Sequence, residues 1–295
     1  MGGRGGHKID DPGPLLAGPP PGYNTGREFD QFPIFLMPEP FQHIRFNIGE
    51  RVARVTFARP PVNIFNIAMM REINEALNQC SKHREIVAIV FEAAPDCRAF
   101  SAGVAVEEHG EETIFQMLDS FHAIFRTLEQ LARPTIAVVD GAALGGGCEL
   151  VAACDIAIAS ERARFGQPEI KLGVFPPVAA VLLPRVIGDK RARELILTGE
   201  MIEAAEAMRV GLVNYVVPTE QLAAKTDELL AKLRDLSAAA LELTKRALDL
   251  GRERTLEAML MQVEDVYLHE LMKTYDAKEG IKAFIEKRKP VWRDR

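Results

Sequence analysis

Short apolar runs of β-strand type alternate with longer segments of helix type along the middle of the chain, and this alternation constrains the fold more than any other feature. The strand-type runs cover residues 86–91, 135–139 and 154–159. The helical segments cover residues 67–80 and 112–132, and Asn66 stands where a capping side chain is expected. Strands that alternate with helices predict an α/β architecture.

The regions that flank this alternation have a different character. The first 40 residues begin with a stretch rich in Gly and Pro, which predicts a flexible arm because such a sequence buries too little surface to offset its ordering entropy. Alternating apolar residues over 44–57 predict a hairpin. After about residue 218 the strand patterns stop, and an apolar helical stripe follows at Leu256, Met259, Leu260, Val263, Val266 and Tyr267. These boundaries predict an arm (1–40), a core with the site (41–218) and a helical C-terminal region (219–295).

Composition excludes several classes of protein. Apolar residues make up 47% and charged residues 26% of the 295 residues, as in ordinary globular proteins. The net charge of −6 argues against a nucleic-acid partner or an anionic membrane surface. No apolar run is long enough to span a membrane, and no secretory signal is visible. The four cysteines show no metal or redox spacing, so we expect a reducing, cytoplasmic location.

Three consecutive glycines follow the strand-type run 135–139, in the segment Asp140-Gly-Ala-Ala-Leu-Gly-Gly-Gly-Cys-Glu149. Glycines at the start of a helix leave main-chain N–H groups uncovered, and the helix dipole favours negative charge there. The loop therefore predicts a site for a phosphate or a transient oxyanion, although neither G-x-x-x-x-G-K-[ST] nor G-x-G-x-x-G is present. A tight crossing of two backbones is the structural alternative.

A second loop of small residues, from Arg98 to Gly103, follows the strand-type run 86–91. Two such loops at neighbouring strand ends can each direct one N–H group at a single oxygen, which is the geometry of an oxyanion hole. Glu149 follows the triple glycine, and Glu169 lies in a turn beyond the next strand. Two carboxyl groups at one strand end can hold a water molecule and exchange protons with it. The alternatives are a helix-dipole partner for Glu149 and a solvated turn residue for Glu169.

Four stretches together resemble the enoyl-CoA hydratase/isomerase (crotonase) superfamily. They are Ala99-Phe-Ser-Ala-Gly103, Gly141-Ala-Ala-Leu-Gly-Gly-Gly-Cys-Glu-Leu150, Phe165-Gly-Gln-Pro-Glu-Ile-Lys-Leu-Gly173 and the run from Lys278 to Lys289. The resemblance extends from about residue 44 to 293. It implies a crotonase-like spiral of β-β-α turns, followed by a helical region that assembles trimers or dimers of trimers.

The resemblance also implies roles for individual residues. The N–H groups of Ala102 and Gly146 would form the oxyanion hole for a thioester oxygen, and Glu149 and Glu169 would be the acid/base pair. Lys287 would meet the coenzyme A phosphates, in its own or a neighbouring subunit. Further contacts to an acyl-CoA substrate are expected from Ala99, Gly145, Phe175, Pro177, Val178 and Phe284. No metal and no cofactor other than the coenzyme A of the substrate is expected.

Two departures from the family pattern affect the substrate prediction. Ala105 stands where many members have an aspartate, and the glycine-rich run common after Glu169 is replaced by Gly173-Val-Phe-Pro-Pro-Val-Ala-Ala180. Pro177 has no N–H, and Phe175 with Val178 predicts a rigid apolar wall that suits a flat ring. This stretch of sequence is most similar to that of the cyclohexa-1,5-diene-1-carbonyl-CoA hydratases of anaerobic aromatic degradation.

Other functions remain open from the sequence. An enoyl-CoA isomerase needs only one base, whereas both glutamates are present here and favour water addition. A non-catalytic acyl-CoA-binding scaffold is a second alternative. A serine or cysteine hydrolase is disfavoured because Ser101 and Cys148 lack a G-x-S-x-G context, and His109 and His122 are expected to be solvated or core residues.

Overall fold

A β-hairpin opens the part of the chain that the computed structural model describes, residues 41–250 and 255–291. Strand β1 (Ile44–Gly49) pairs antiparallel with β2 (Val52–Phe57). Glu50 and Arg51 form the turn with φ angles of 48° and 65°, the left-handed pair that a two-residue hairpin turn requires. The hairpin is therefore present as predicted. The predicted arm over residues 1–40 lies outside the described residues.

The larger of two sheets has six strands in the order β1-β2-β3-β5-β7-β10. Its remaining members are β3 (Ala88–Ala93), β5 (Thr135–Val139), β7 (Ile156–Ser160) and β10 (Tyr215–Val217), and the pairing from β2 to β10 is parallel. Alternate residues enter two separate cores: Ala137 and Val139 point into one, Ile136 and Val138 into the other. Burial on both faces explains why these strands read as continuous apolar runs.

A smaller sheet of three-residue strands carries the loops that matter for function. Its order is β4 (Ala99–Ser101), β6 (Ala142–Leu144), β8 (Arg164–Gly166) and β9 (Met201–Glu203). The long strands β3, β5 and β7 are each followed by one of these short strands and then by helix, so this part of the chain winds through three β-β-α turns. The segment 98–103, interpreted from sequence as a loop, contains β4. Parallel pairing of β4 with β6 places the ends of both strands side by side.

The helices of the core cover the sheets. They are α1 (Ile67–Cys80), α2 (Ile114–Leu131), α3 (Gly146–Ala153), α4 (Pro177–Ile187), α5 (Asp189–Thr198) and α6 (Ala204–Arg209). The Asn66 side chain accepts a hydrogen bond from the Met69 N–H at 3.0 Å and begins α1, as the sequence predicts. Four short 3₁₀ helices cover Val106–His109, Pro168–Leu172, Thr219–Gln221 and Leu271–Lys273.

Beyond Val217 the described residues form helices and loops. The helices are α7 (Leu222–Arg234), α8 (Ala238–Leu250), α9 (Leu256–His269) and α10 (Tyr275–Ile285). Leu222 and Leu230 of α7 complete one face of the large sheet, whereas Leu260 and Tyr267 of α9 enter the core on the other face. The described residues before and after 218 belong to one compact unit. None of the described helices has the length and apolar character that a membrane span requires.

Candidate active site

The ends of β4 and β6 meet at three glycines. Gly103 and Gly145 have φ angles of 103° and 50°, and Gly145 directly precedes α3. A Cβ atom on Gly146 would lie 2.8 Å from Cγ2 of Val104 and 3.0 Å from Cζ of Phe121. No larger residue fits at position 146 without displacing these neighbours, so the loops approach each other closely because the sequence is glycine here.

The uncovered main-chain N–H groups at this junction belong to Gly146 and Val104. Gly146 is the first residue of α3, where an N–H group has no acceptor within the helix. Neither N–H has an acceptor among the residues that the structure describes. The isolated bridge between Phe65 and Val104 fixes the course of the second loop.

Ala102, the predicted second donor, does not fill that role. Its N–H donates to the Val62 carbonyl oxygen at 2.9 Å, and the Gly103 N–H donates to Oγ of Ser101 at 3.1 Å. A donor already held by a main-chain carbonyl is not free for a ligand. The prediction of Ala102 is therefore wrong, and Val104 takes its place beside Gly146.

Glu149 lies in the first turn of α3, and only 2% of it is exposed. Its Oε1 accepts a hydrogen bond from the Ala179 N–H at 2.7 Å, and the main chain of Val178 provides a further contact. Both donors lie at the start of α4, whose positive end faces the carboxylate. Glu149 is thus buried, oriented and supplied with partners for its charge.

Glu169 approaches the same place from the 3₁₀ helix Pro168–Leu172. A Cβ on Gly145 would lie only 2.5 Å from its Oε1, so the carboxyl group rests directly on the glycine loop. Its Oε2 is buried and has no hydrogen-bond partner in the described structure. A buried carboxyl oxygen without a partner is unusual, and it indicates a position for a ligand or water.

The surroundings of the two acids raise the pKa of each above that of an ordinary glutamate. Burial raises the pKa of Glu149 to about 7, although the α4 amides counteract part of this effect. Burial and then the charge of Glu149 raise the pKa of Glu169 well above its usual range. Near neutral pH the pair therefore holds at least one proton, with Glu149 ionising more readily because the amides of Val178 and Ala179 stabilise its charge.

Both carboxyl groups line one small apolar cavity of about 80 Å³, which we call the inner cavity. The ring of Tyr267 from α9 meets Phe175 edge to face, with centroids 5.1 Å apart. Apolar side chains from several elements complete the wall: Val104, Val106, Met117, Leu118, Phe121, Leu172 and Val174. An apolar cavity with a few convergent polar groups is the usual form of a binding site.

Most, but not all, of the predicted site residues come together here. Ala102, Gly145, Gly146, Glu149, Glu169, Phe175 and Pro177 line the inner cavity. Ala99 does not: it is buried in β4, where its carbonyl accepts from Nδ2 of Asn63 at 3.0 Å. Val178 is fully buried, and its main chain contacts Glu149 instead of a substrate. Phe284 and Lys287 are exposed at the C-terminal end of α10 and do not line the cavity of their own chain.

Sequence reasoning missed Tyr267, Val104 and the α2 residues Met117, Leu118 and Phe121. Tyr267 belongs to the predicted apolar stripe, but the stripe does not tell which of its members reaches the site. No arrangement of three or more His, Cys, Asp or Glu side chains suited to a metal ion occurs in residues 41–250 and 255–291.

Comparison with known proteins extends these findings. The enoyl-CoA hydratase/isomerase family model matches residues 47–295. A probable mitochondrial enoyl-CoA hydratase of Dictyostelium discoideum is 37% identical over 83% of this chain and 88% of its own length. The cyclohexa-1,5-dienecarbonyl-CoA hydratase of Thauera aromatica is 37% identical over 82% of this chain and 93% of its own length.

Solved structures agree with the sequence comparison. An enoyl-CoA hydratase from Mycobacterium avium subsp. paratuberculosis superposes with a TM-score of 0.77 at 29% identity, covering 86% of this chain and 100% of that one. A carnitinyl-CoA hydratase from Mycobacterium avium gives a TM-score of 0.77 at 32% identity, covering 86% of this chain and 99% of that one.

Proposed function

The chain belongs to the enoyl-CoA hydratase/isomerase family, and from this premise we propose how its site adds water to an acyl-CoA. It is a lyase of the enoyl-CoA hydratase type, which forms a carbon–oxygen bond at a double bond conjugated with a thioester. The observation that supports the proposed mechanism is the pair of buried carboxyl groups, Glu149 and Glu169, beside two uncovered N–H groups in one cavity.

In the proposed complex the thioester oxygen accepts hydrogen bonds from the Gly146 and Val104 N–H groups. Negative charge develops on that oxygen as water attacks the β-carbon, because the electrons of the double bond move toward the carbonyl. Each fixed donor aimed at a developing oxyanion contributes about 3 kcal/mol to transition-state stabilisation. The position of Gly146 at the start of α3 adds the helix dipole in the same direction.

The two glutamates divide the proton transfers. Glu149, ionised and held by the Ala179 N–H, accepts a proton from water as the water oxygen bonds to the β-carbon. Glu169, whose raised pKa keeps it protonated, delivers its proton to the α-carbon of the enolate. One water is consumed, and the proton gained by Glu149 returns to Glu169 through solvent. The reaction is a proton-balanced addition without a redox step, so we propose that no cofactor besides the substrate's coenzyme A takes part.

We further propose that the preferred acyl group is a cyclic, conjugated dienoyl ring, as in the anaerobic degradation of aromatic compounds. The Thauera aromatica relative carries a name for such a substrate. The inner cavity is small, and the Phe175 and Tyr267 rings meet edge to face in its wall. Pro176 and Pro177 make the adjoining segment rigid, which suits a flat ring better than a flexible chain.

The relative rates on two substrates test both the hydratase activity and the preference for a cyclic acyl group. We expect purified protein to hydrate cyclohexa-1,5-diene-1-carbonyl-CoA about tenfold faster, or more, than crotonyl-CoA, measured as kcat/KM from the loss of enoyl absorbance. The reverse ranking contradicts the cyclic substrate and leaves the hydratase class standing. Migration of a double bond in a 3-enoyl-CoA without hydration of either substrate would instead identify an isomerase.

Variants of the two acids test the mechanism. Glu149→Gln and Glu169→Gln keep the shape of each side chain but remove its acid/base function, and each should lower kcat by about 10²-fold or more. Glu220→Gln, at an exposed position, is the matched control and should leave kcat unchanged. Full activity of either active-site variant would exclude the proposed proton transfers.

Self-association is a further part of the proposal, as a trimer or a dimer of trimers. Large apolar side chains on α9 and α10 remain exposed, with exposed fractions of 66% for Met261 and 50% for Phe284. Lys287 follows α10 and is proposed to meet coenzyme A phosphates, in its own or a neighbouring subunit. We also propose a cytoplasmic location, because Cys80, Cys97, Cys148 and Cys154 are all free thiols.

A further inference from the structure

His109 ends the 3₁₀ helix Val106–His109 and borders the inner cavity. Its Nδ1 lies 3.0 Å from the carbonyl oxygen of Ala105, so Nδ1 carries the hydrogen and the ring is held in one orientation. Burial lowers the pKa of His109 below its ordinary value, and the ring is therefore neutral at pH 7. A neutral, fixed ring forms part of a cavity wall in the same way as an aromatic side chain does.

A second cavity is also lined by His109. We call it the outer groove; it has a volume of about 330 Å³ and is lined by Met272, Ile281, Ile285, Gly110, Glu111, Lys278, Lys282 and Glu286 besides His109. Among the described lining residues, His109 is the one that borders both the inner cavity and the outer groove. His109 is thus the point at which the small inner cavity and the larger outer groove adjoin.

The outer groove has the character of a site for an apolar chain. Met272, Ile281 and Ile285 provide an apolar floor between the 3₁₀ helix Leu271–Lys273 and α10. Lys278 forms an ion pair with Glu111, which joins α10 to the segment that follows His109. This ion pair therefore connects the two walls of the groove.

We propose that His109 is the specificity-determining residue that limits acyl length, because its ring closes the passage from the inner cavity to the outer groove. The inference rests on the proposed acyl-CoA function of the inner cavity. With the ring in place, an acyl group must fit within the inner cavity. With the ring removed, the end of a longer chain extends into the outer groove and buries its methylene groups there.

Binding of saturated acyl-CoAs tests this proposal without requiring turnover. Titration calorimetry with butanoyl-CoA, decanoyl-CoA and free coenzyme A is carried out on wild type, His109→Ala and His109→Gln. In His109→Ala we expect the affinity for decanoyl-CoA, relative to butanoyl-CoA, to increase about tenfold or more over wild type. His109→Gln keeps a side chain of similar length and should shift this ratio by no more than about twofold.

The possible results separate this proposal from the proposed function. An unchanged ratio in a folded His109→Ala protein overturns the role of His109, as does a wild type that already prefers decanoyl-CoA by tenfold. Failure to bind any acyl-CoA more tightly than free coenzyme A overturns it as well, because the inner cavity then takes no acyl group. Absence of hydration with normal acyl-CoA binding contradicts the catalytic mechanism alone. His83→Ala, remote in sequence and paired with Glu85, controls for the loss of an imidazole as such.

Discussion

The fold buries Glu149 and then supplies two main-chain contacts to its carboxylate from α4. Glu169 receives no such partner for Oε2. The same residue type therefore has two protonation states in one cavity, one favoured by amide donors and one by burial beside a charge. In the proposed mechanism this difference makes Glu149 the base and Glu169 the acid.

The pH dependence of kcat/KM follows from these shifts. Below the raised pKa of Glu149, about 7, the base is protonated and the rate falls by about tenfold per pH unit. At alkaline pH Glu169 loses the proton that it must deliver, so the rate falls again. We expect a bell-shaped profile with its maximum above pH 7, measured from about pH 5 to about pH 10. A rate that stays constant between about pH 5 and about pH 7 would contradict the assignment of Glu149 as the base.

Burial of Glu149 should also make the folded protein less stable as the pH rises. Its folded-state pKa of about 7 exceeds the ordinary value of 4.5, so the folded state binds more protons than the unfolded state between these values. The free energy of unfolding therefore decreases over this interval, by about 3 kcal/mol at most. Glu149→Gln cannot ionise and should be about 1–3 kcal/mol more stable than wild type at pH 8, with a smaller difference at pH 5.

Urea unfolding at both pH values measures this difference, and Glu220→Gln serves as the exposed control. Equal stability of wild type and Glu149→Gln at pH 8 would mean that Glu149 is not buried in its charged form.

The sequence predicted the positions of some site residues correctly and failed for others. Gly146, Glu149 and Glu169 were placed correctly beside one cavity, since a triple glycine after a strand and an acid after the next strand converge in a parallel arrangement. Ala102 was not, because the partner of its N–H is Val62, a residue about 40 positions earlier that no local pattern reveals. The roles of these residues in catalysis stay predictions.

Among the elements, α9 links the C-terminal region to the site. Tyr267 is 1% exposed and packs its ring against Phe175, which lies just before α4. The contact brings a helix from the end of the chain against the segment that supports Glu149. Docking of α9 therefore contributes both to folding and to the shape of the inner cavity.

Replacement of Tyr267 measures the strength of this docking. Tyr267→Ala should lower the free energy of unfolding by about 3 kcal/mol, because it leaves a void where a large ring was buried. Tyr267→Phe keeps the ring contact and should change stability by less than about 1.5 kcal/mol. Met261→Ala, 66% exposed on the same helix, is the control and should have an effect of about 0.5 kcal/mol or less. Equal effects of Tyr267→Ala and Met261→Ala in urea unfolding would show that α9 is not docked as described.

The bounds of elements with a clear hydrophobic period were predictable from the sequence, whereas short elements were not. Helix α1 and strand β5 have the predicted bounds, and α2 begins at Ile114 where the sequence predicts about residue 112. Strand β4 has only three residues, too few for a period, and its existence depends on pairing with β6. The stripe on α9 predicted a helix with an apolar face, but not that Leu260 and Tyr267 would be buried while Val266 remains 43% exposed.

At the scale of the whole molecule, the exposed apolar side chains of α9 and α10 lead to a prediction about assembly. We expect Phe284→Glu to shift the protein from a trimer or hexamer toward monomer in sedimentation velocity, because a charge would be buried in the interface. Leu197→Glu, at a 67% exposed position on α5, should leave the assembly unchanged. A wild type that sediments as a monomer would contradict self-association itself.

The overall architecture was predictable from alternation and family resemblance together. The alternation of strand-type and helix-type segments alone predicts an α/β fold. The β-β-α spiral followed by helices was predicted from the four stretches that resemble the family. The location of the outer groove was not predictable, because it depends on how α10 lies against the segment after the 3₁₀ helix Val106–His109. Such contacts join residues more than 150 positions apart.

Two consecutive prolines, Pro176 and Pro177, introduce the helix whose amides hold Glu149. Their rings fix φ before any ligand arrives, so this stretch has little freedom left to lose when an acyl-CoA enters. A glycine-rich stretch at the same place would change its backbone conformation to fit acyl groups of many shapes. It would lose conformational entropy each time a substrate binds. For the cyclic substrate that we propose, the proline pair would thus build the selectivity into the backbone during folding, before the acyl group enters.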